Sequence, residues 1–140
     1  MDLLAHILWG SLLLGPSLPV ALGSLGPDPV YGLALLLHGR LEGLKDTRVY
    51  RAGMRAHSAL LWAAALPAFL LAGGDLLSYW LAYGLHIALD VVSHRRDGPR
   101  FLYPLSDEHA PRGLYDPWDP LPAALNFAVL AALWALRVNC

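Results

Sequence analysis

The chain has 140 residues, of which 56% are hydrophobic and 15% charged, whereas an ordinary soluble domain has roughly a quarter charged residues. Ten Lys and Arg against eleven Asp and Glu leave a net charge of -1, so no basic footprint points to a nucleic-acid partner. The single cysteine, Cys140, excludes an internal disulfide and a cysteine-based zinc cluster.

Residues 3–22 are apolar apart from His6, Ser11 and Ser17. Asp2 is the only formally charged side chain before Asp28, so the basic n-region of a secretory signal is missing and the stretch is expected to stay in the mature protein. Gly15-Pro16 and Pro19 predict a broken or kinked first helix, because proline lacks an amide and clashes with the preceding turn. Gly23-Ser24-Leu25-Gly26-Pro27-Asp28-Pro29 reads as a loop containing Asp28. A short apolar helix then runs to His38, where Gly39 ends it.

Residues 40–55 turn polar and basic, with Arg40, Lys45, Arg48, Arg51 and Arg55, and read as a water-facing connection. Residues 56–72 and 76–92 are apolar helical stretches joined by Gly73-Gly74-Asp75, the composition of a tight helical hairpin. Residues 95–119 are polar and proline-rich, and residues 121–138 form a last apolar helix. The fold class is therefore all-α: residues 1–140 form one domain, a membrane-embedded bundle of four to five helices around a central hairpin. A compact soluble α-bundle is the alternative, because several runs fall short of the roughly 20 apolar residues that cross a bilayer. The basic stretches 40–55 and 95–112 both lie at the open end of the hairpin, and the positive-inside rule places them in the cytoplasm.

His86 and Asp90, at i and i+4, project from one face of a helix. Folding the hairpin at its glycines pairs positions whose numbers sum to about 147–149, which sets His57 opposite Asp90. Two imidazoles and a carboxylate suit Zn²⁺ or another first-row divalent ion and leave positions open for water or substrate. A structural polar clamp between helices is the competing use of the same residues. Asp28 is either a helix N-cap or a further ligand, and His6 either a hydrogen-bonded core residue or a ligand reaching the same end of the bundle. Arg95, Arg96 and Arg100 follow directly after the His-Asp helix, where they can hold a phosphate or anchor at the interface. His38 and His94 read as carbonyl caps or water-facing residues, and Asp107, Glu108 and His109 as a solvated cluster. Trp9, Trp62, Trp80, Trp118 and Trp134 fit interface or packing roles.

Gly84-Leu85-His86-Ile87-Ala88-Leu89-Asp90, followed by Gly98 and Phe101-Leu102-Tyr103-Pro104-Leu105-Ser106, resembles the Gly-His-x-x-x-Asp helix and aromatic-Pro-x-Ser segment of the membrane-bound metal-dependent hydrolases. That family is also described as LexA-binding inner-membrane-associated hydrolases. Gly23 to Asp28 is similar to its Gly-x-x-x-Pro-Asp turn, and Arg51 with His57-Ser58 to its Arg-x-x-Thr-His-Ser stretch. The resemblance implies metal ligands at His57, His86 and Asp90, with Asp28 and His6 joining them, and a distant likeness to zinc-dependent phospholipases C. The chain departs from the family pattern at Val30, where a second aspartate is usual, and at Tyr50, where a histidine is common.

Together these readings predict a multi-pass hydrolase of the inner (cytoplasmic) membrane. A divalent metal, zinc, is its expected cofactor, Asp28 a bridging ligand or catalytic base, and Arg51, Arg95, Arg96 and Arg100 its substrate contacts. Its partners are membrane lipid and a small-molecule or lipid phosphoester. The alternative is a non-catalytic membrane scaffold or binding protein in which the His/Asp cluster is a clamp.

Overall fold

The computed structural model of the chain describes residues 3–26, 28–39, 43, 46–96, 98–109, 113–116 and 119–138. Arg40, Lys45 and Arg112 of the basic stretches, Pro27 of the turn, Trp118 and Cys140 lie outside them. Among the described residues there is no strand, and the all-α expectation holds.

The broken first helix is present as α1 (Leu3–Leu14) and α2 (Leu18–Leu25). The chain leaves α1 at Gly15, whose φ of 91° suits a residue without Cβ, and Ser17 then caps α2 by accepting the Val20 amide at 3.3 Å. Pro19 falls in the first turn of α2, where amides have no helical partner, so it starts a helix instead of kinking one. Helix α2 also absorbs Gly23, Ser24 and Leu25, which corrects the expected loop. Asp28 stays in the turn before α3 (Pro29–His38), and α2 and α3 meet at a bend of 61°.

The supposed connection 40–55 contains α4 (Arg48–Ala56), a helix started by Thr47, whose hydroxyl accepts the Tyr50 amide at 3.2 Å. Its charges mask a packing face: Gly53 is buried, and a Cβ there would stand 3.0 Å from Tyr31 and 3.2 Å from Val30 of α3. Tyr50 packs on Tyr31 with ring centroids 4.9 Å apart. The two positions that depart from the family pattern, Val30 and Tyr50, are thus spent on joining α3 to α4.

The first arm of the hairpin is two pieces, α5 (Ala59–Ala64) and α6 (Leu66–Ala72). Pro67 has no amide to continue the ladder across the break, and the chain tightens at Ala65, whose amide bonds both Leu61 and Trp62 carbonyls at 3.2 Å. Gly73, at φ 63°, turns the chain into the second arm, α7 (Gly74–Ser93), and α8 (Pro120–Val138) closes the chain. Among the described residues there are eight helices where four to five were expected, because breaks and caps divide apolar runs that look continuous by hydrophobicity alone and the polar stretch holds α4.

Helix α7 is the axis of the bundle. It packs on α2, α1, α5 and α6, and Gly23 lets the α2 backbone come against the α7 backbone at Tyr79, where a Cβ would collide with the Tyr79 carbonyl. The hairpin is pinned by Trp62 and Trp80, stacked with centroids 4.1 Å apart, each indole N–H donating to the other's backbone carbonyl at 2.9 and 3.0 Å.

The buried side chains include polar ones beside the apolar Val20, Ile87 and Leu130, and many leucines are exposed. His6, Ser24, His57, Ser58, His86, Asp90 and Ser93 are buried, whereas Leu36, Leu71, Leu121 and Leu136 face outward. Both α7 and α8 are long and apolar enough to cross a membrane, and α8 is almost bare of protein cover. Exposed leucines and two helices of membrane-crossing length are consistent with membrane association.

Candidate metal centre

Four side chains from three places in the chain converge at α7. The turn before α3 supplies Asp28, the junction of α4 and α5 supplies His57, and α7 itself supplies His86 and Asp90. One donor atom from each lies within 4.8 Å of all the others. His57 Nε2 is 3.2 Å from Asp28 Oδ1 and 3.3 Å from Asp90 Oδ2. His86 Nε2 is 3.2 Å from the same Asp90 oxygen, 3.6 Å from Asp28 Oδ1 and 3.3 Å from His57 Nε2. The pairing of His57 with Asp90 across the hairpin, and of His86 with Asp90 along it, is as the sequence predicts.

The tautomers follow from the partners. His57 Nδ1 is 2.9 Å from the Gly53 carbonyl and His86 Nδ1 is 2.8 Å from the Ser24 carbonyl. A carbonyl can only accept, so both Nδ1 atoms carry hydrogen and both neutral rings turn an Nε2 lone pair to the centre. Two such lone pairs facing each other at 3.3 Å repel unless a cation or a proton lies between them. The donor set of two imidazole nitrogens and two carboxylate oxygens is one that zinc and other first-row divalent ions accept, and each histidine is oriented by the carbonyl bond that usually backs a metal ligand. The residues therefore fit a divalent cation.

Of its two expected roles, Asp28 shows ligand geometry and, among the described residues, no side-chain cap on α3. Its carbonyl accepts the Tyr31 amide at 2.8 Å at the start of α3, while its carboxylate turns to the histidines. With a side chain 15% exposed it is the most open of the four donors, since Asp90 is at 6% and both histidines are lower.

His6 stands apart from that group. From α1 it stacks on His86 with centroids 4.0 Å apart, and its Nε2 lies 3.1 Å from Asp90 Oδ1, the carboxylate oxygen not directed at His57 and His86. His94, the C-cap of α7 with its amide on the Asp90 carbonyl at 3.0 Å, also reaches the same carboxylate oxygen at 3.4 Å, a contact that its reading as a cap or water-facing residue does not include. The signal was available, because His94 is one turn beyond Asp90 just as His86 is one turn before it. Asp90 thus has one oxygen in the centre and the other held by His6 and His94.

Burial of His57 favours its neutral form, but hydrogen bonds to Asp28 and Asp90 outweigh that and raise its pKa to about 9. His57 lies outside both membrane-length helices.

The four arginines divide. Arg51 and Arg95 are exposed. Arg96 pairs with the buried Asp116 at 3.1 Å, and Arg100 donates to Asp107 at 2.5 Å. Exposed His109 bonds the Gly98 carbonyl through Nδ1 at 2.6 Å, which orders the cluster read as solvated. The Phe101-to-Ser106 segment is anchored from the site side: the buried Ser58 hydroxyl donates to the Tyr103 carbonyl at 2.5 Å, directly after His57.

Comparison with protein-family models, curated proteins and solved structures yields no match to this chain.

Proposed function

We propose that the chain is a membrane-embedded, metal-dependent hydrolase of phosphoesters, with zinc held by His57, His86, Asp90 and Asp28. The observation that carries this reading is that carbonyl bonds behind the rings turn both Nε2 atoms towards each other and towards two carboxylate oxygens. A bound divalent ion would polarise a phosphoryl oxygen and lower the pKa of its water towards 7. Asp28 would accept a proton from an attacking water, a role its greater exposure among the four donors supports. His6 and His94 fix the Asp90 carboxylate. Arg51 and Arg95 are exposed cations for the substrate phosphate, with Arg96 and Arg100 drawn in if they exchange Asp116 and Asp107 for it.

The cytoplasmic membrane is the proposed location, with α7 and α8 crossing it and the basic segments on the cytoplasmic side. The test is elemental analysis of detergent-purified protein alongside turnover of a phosphoester panel. About one zinc per chain, absent from the His86→Ala, Asp90→Ala double variant, together with metal-dependent turnover, is the expected result. Metal-free protein that folds equally well without exposure to chelator, and turns over nothing, rejects the reading.

A second reading has one observation in its favour: His57 Nε2 is within hydrogen-bond range of both Asp28 and Asp90. A protonated His57 would then clamp the helices of a non-catalytic membrane scaffold. Under that reading the double variant loses stability and has no metal-dependent activity to lose.

A further inference from the structure

Between α5–α6 and α7 lies a cleft of about 370 Å³ walled by Trp62, Phe69, Tyr79, Trp80 and Tyr83, near the lower end of ordinary small-ligand sites. Three of its polar groups are already engaged. The indole N–H groups of Trp62 and Trp80 bond each other's carbonyls, and the Tyr83 hydroxyl donates to the Ala56 carbonyl at 2.7 Å. Apart from the Tyr79 hydroxyl, what remains for an occupant is hydrocarbon and ring face, so a strongly polar ligand would be desolvated there with little compensation.

The position of the cleft identifies its occupant. Ala56 and Tyr83 line one end; Ala56 directly precedes His57, and Tyr83 is one turn before His86 on α7. Phe69 lies towards the closed end of the hairpin, away from the arginines at residues 95–100. Two lining residues of the apolar slot therefore neighbour the metal-ligand cluster along the chain, and the slot is walled in part by a helix of membrane-crossing length. We propose that this cleft holds the hydrocarbon chain of the substrate, making the substrate a membrane amphiphile with a phosphoester head and one chain in the slot. The proposal rests on the hydrolase reading for the head group and on the cleft for the chain.

The test uses the full chain in zwitterionic nanodiscs with zinc, its Trp9, Trp118 and Trp134 replaced by Phe so that Trp62 and Trp80 report. Terminally brominated alkyl phosphonates from ethyl to dodecyl are the binding probes. Quenching should saturate, with affinity rising about fourfold per methylene until the slot is full. Ala65→Phe, which fills the slot from a residue with ordinary helical backbone angles, should cost the dodecyl probe about tenfold or more in affinity. Phe69→Ala, which lengthens the slot, should move the plateau to longer chains, and it covers the case in which Ala65→Phe fails to fold. Quenching that never saturates, or that both variants leave unchanged, reports bilayer lipid alone and overturns the proposal.

Turnover of alkyl nitrophenyl phosphodiesters separates the two readings. Metal-dependent turnover with no chain-length dependence of kcat/KM overturns the cleft proposal and keeps the hydrolase. Saturable, variant-sensitive quenching with no phosphoester turned over overturns the hydrolase reading and supports the chain site.

Discussion

His57 Nε2 and Asp90 Oδ2 stand 3.3 Å apart across the hairpin, while Asp90 Oδ1 is held at 3.1 Å by His6 and at 3.4 Å by His94. A carboxylate gripped on its outer oxygen presents the inner one in a fixed direction, and partners of this kind typically govern metal affinity by about 10- to 100-fold. His6→Phe and His94→Ala are therefore expected to weaken zinc binding by about that factor each, without loss of helix content. Competition against a chelating dye measures the first quantity and far-UV circular dichroism the second. Undiminished zinc affinity in both variants would show that the two histidines only pack.

Metal uptake should release a proton. With its pKa raised to about 9, His57 is protonated at pH 7 in the metal-free protein, yet a metal ligand must be neutral imidazole. Zinc affinity should then climb by about tenfold per pH unit until pH approaches 9 and flatten above it. The stability of the metal-free protein runs the other way. A raised histidine pKa contributes stability that is complete below the ordinary value of 6.5 and is lost as pH rises through about 9. Thermal melts of metal-free protein should fall between those limits, and His57→Gln should remove this dependence.

How legible the centre was depended on the distance over which each contact is encoded. The His86–Asp90 pair is set by helical period, and the His57–Asp90 pair by the short hairpin, so both follow from spacing. His94 follows from the same period as His86, but Arg95 and Arg96 beside it suggested water. Asp28 depends on α2 lying against α7, a contact between segments far apart in sequence that no local pattern announces. The extra helices were hidden for two reasons. Arg48, Arg51 and Arg55 obscured the packing face of α4 around Gly53, and Pro67 and Ser58 divide what hydrophobicity alone shows as one run.

Ser58 joins two parts of the fold. It is fully buried, its hydroxyl oxygen accepts the Leu61 amide at 3.2 Å as the cap of α5, and its hydroxyl hydrogen goes to the Tyr103 carbonyl. Ser58→Ala loses the cap and leaves the part-buried Tyr103 carbonyl short of a donor, each worth about 1–2 kcal/mol. A destabilisation of about 2–3 kcal/mol is expected on chemical denaturation, with Ser58→Thr recovering part of it. Because His57 is adjacent, zinc affinity should fall in Ser58→Ala as well. A variant as stable as the parent would show that the Tyr103 contact contributes nothing net.

Gly84 faces Trp62 so closely that a Cβ there would overlap the indole ring. The indole has little freedom to retreat, since it stacks on Trp80 and donates to its carbonyl at 2.9 Å. Gly84→Ala ordinarily favours a helix by about 1 kcal/mol, but overpacking here costs about 1–3 kcal/mol, so the net effect is expected to be destabilising or close to neutral. The decisive measurement is a double-mutant cycle in which Trp62→Leu removes the obstruction. In that background Gly84→Ala should become stabilising, with a coupling of about 1–3 kcal/mol between the two positions. Additive effects would mean that α5 moves away from α7 as a unit, and the Trp62–Trp80 pair would then not fix the hairpin.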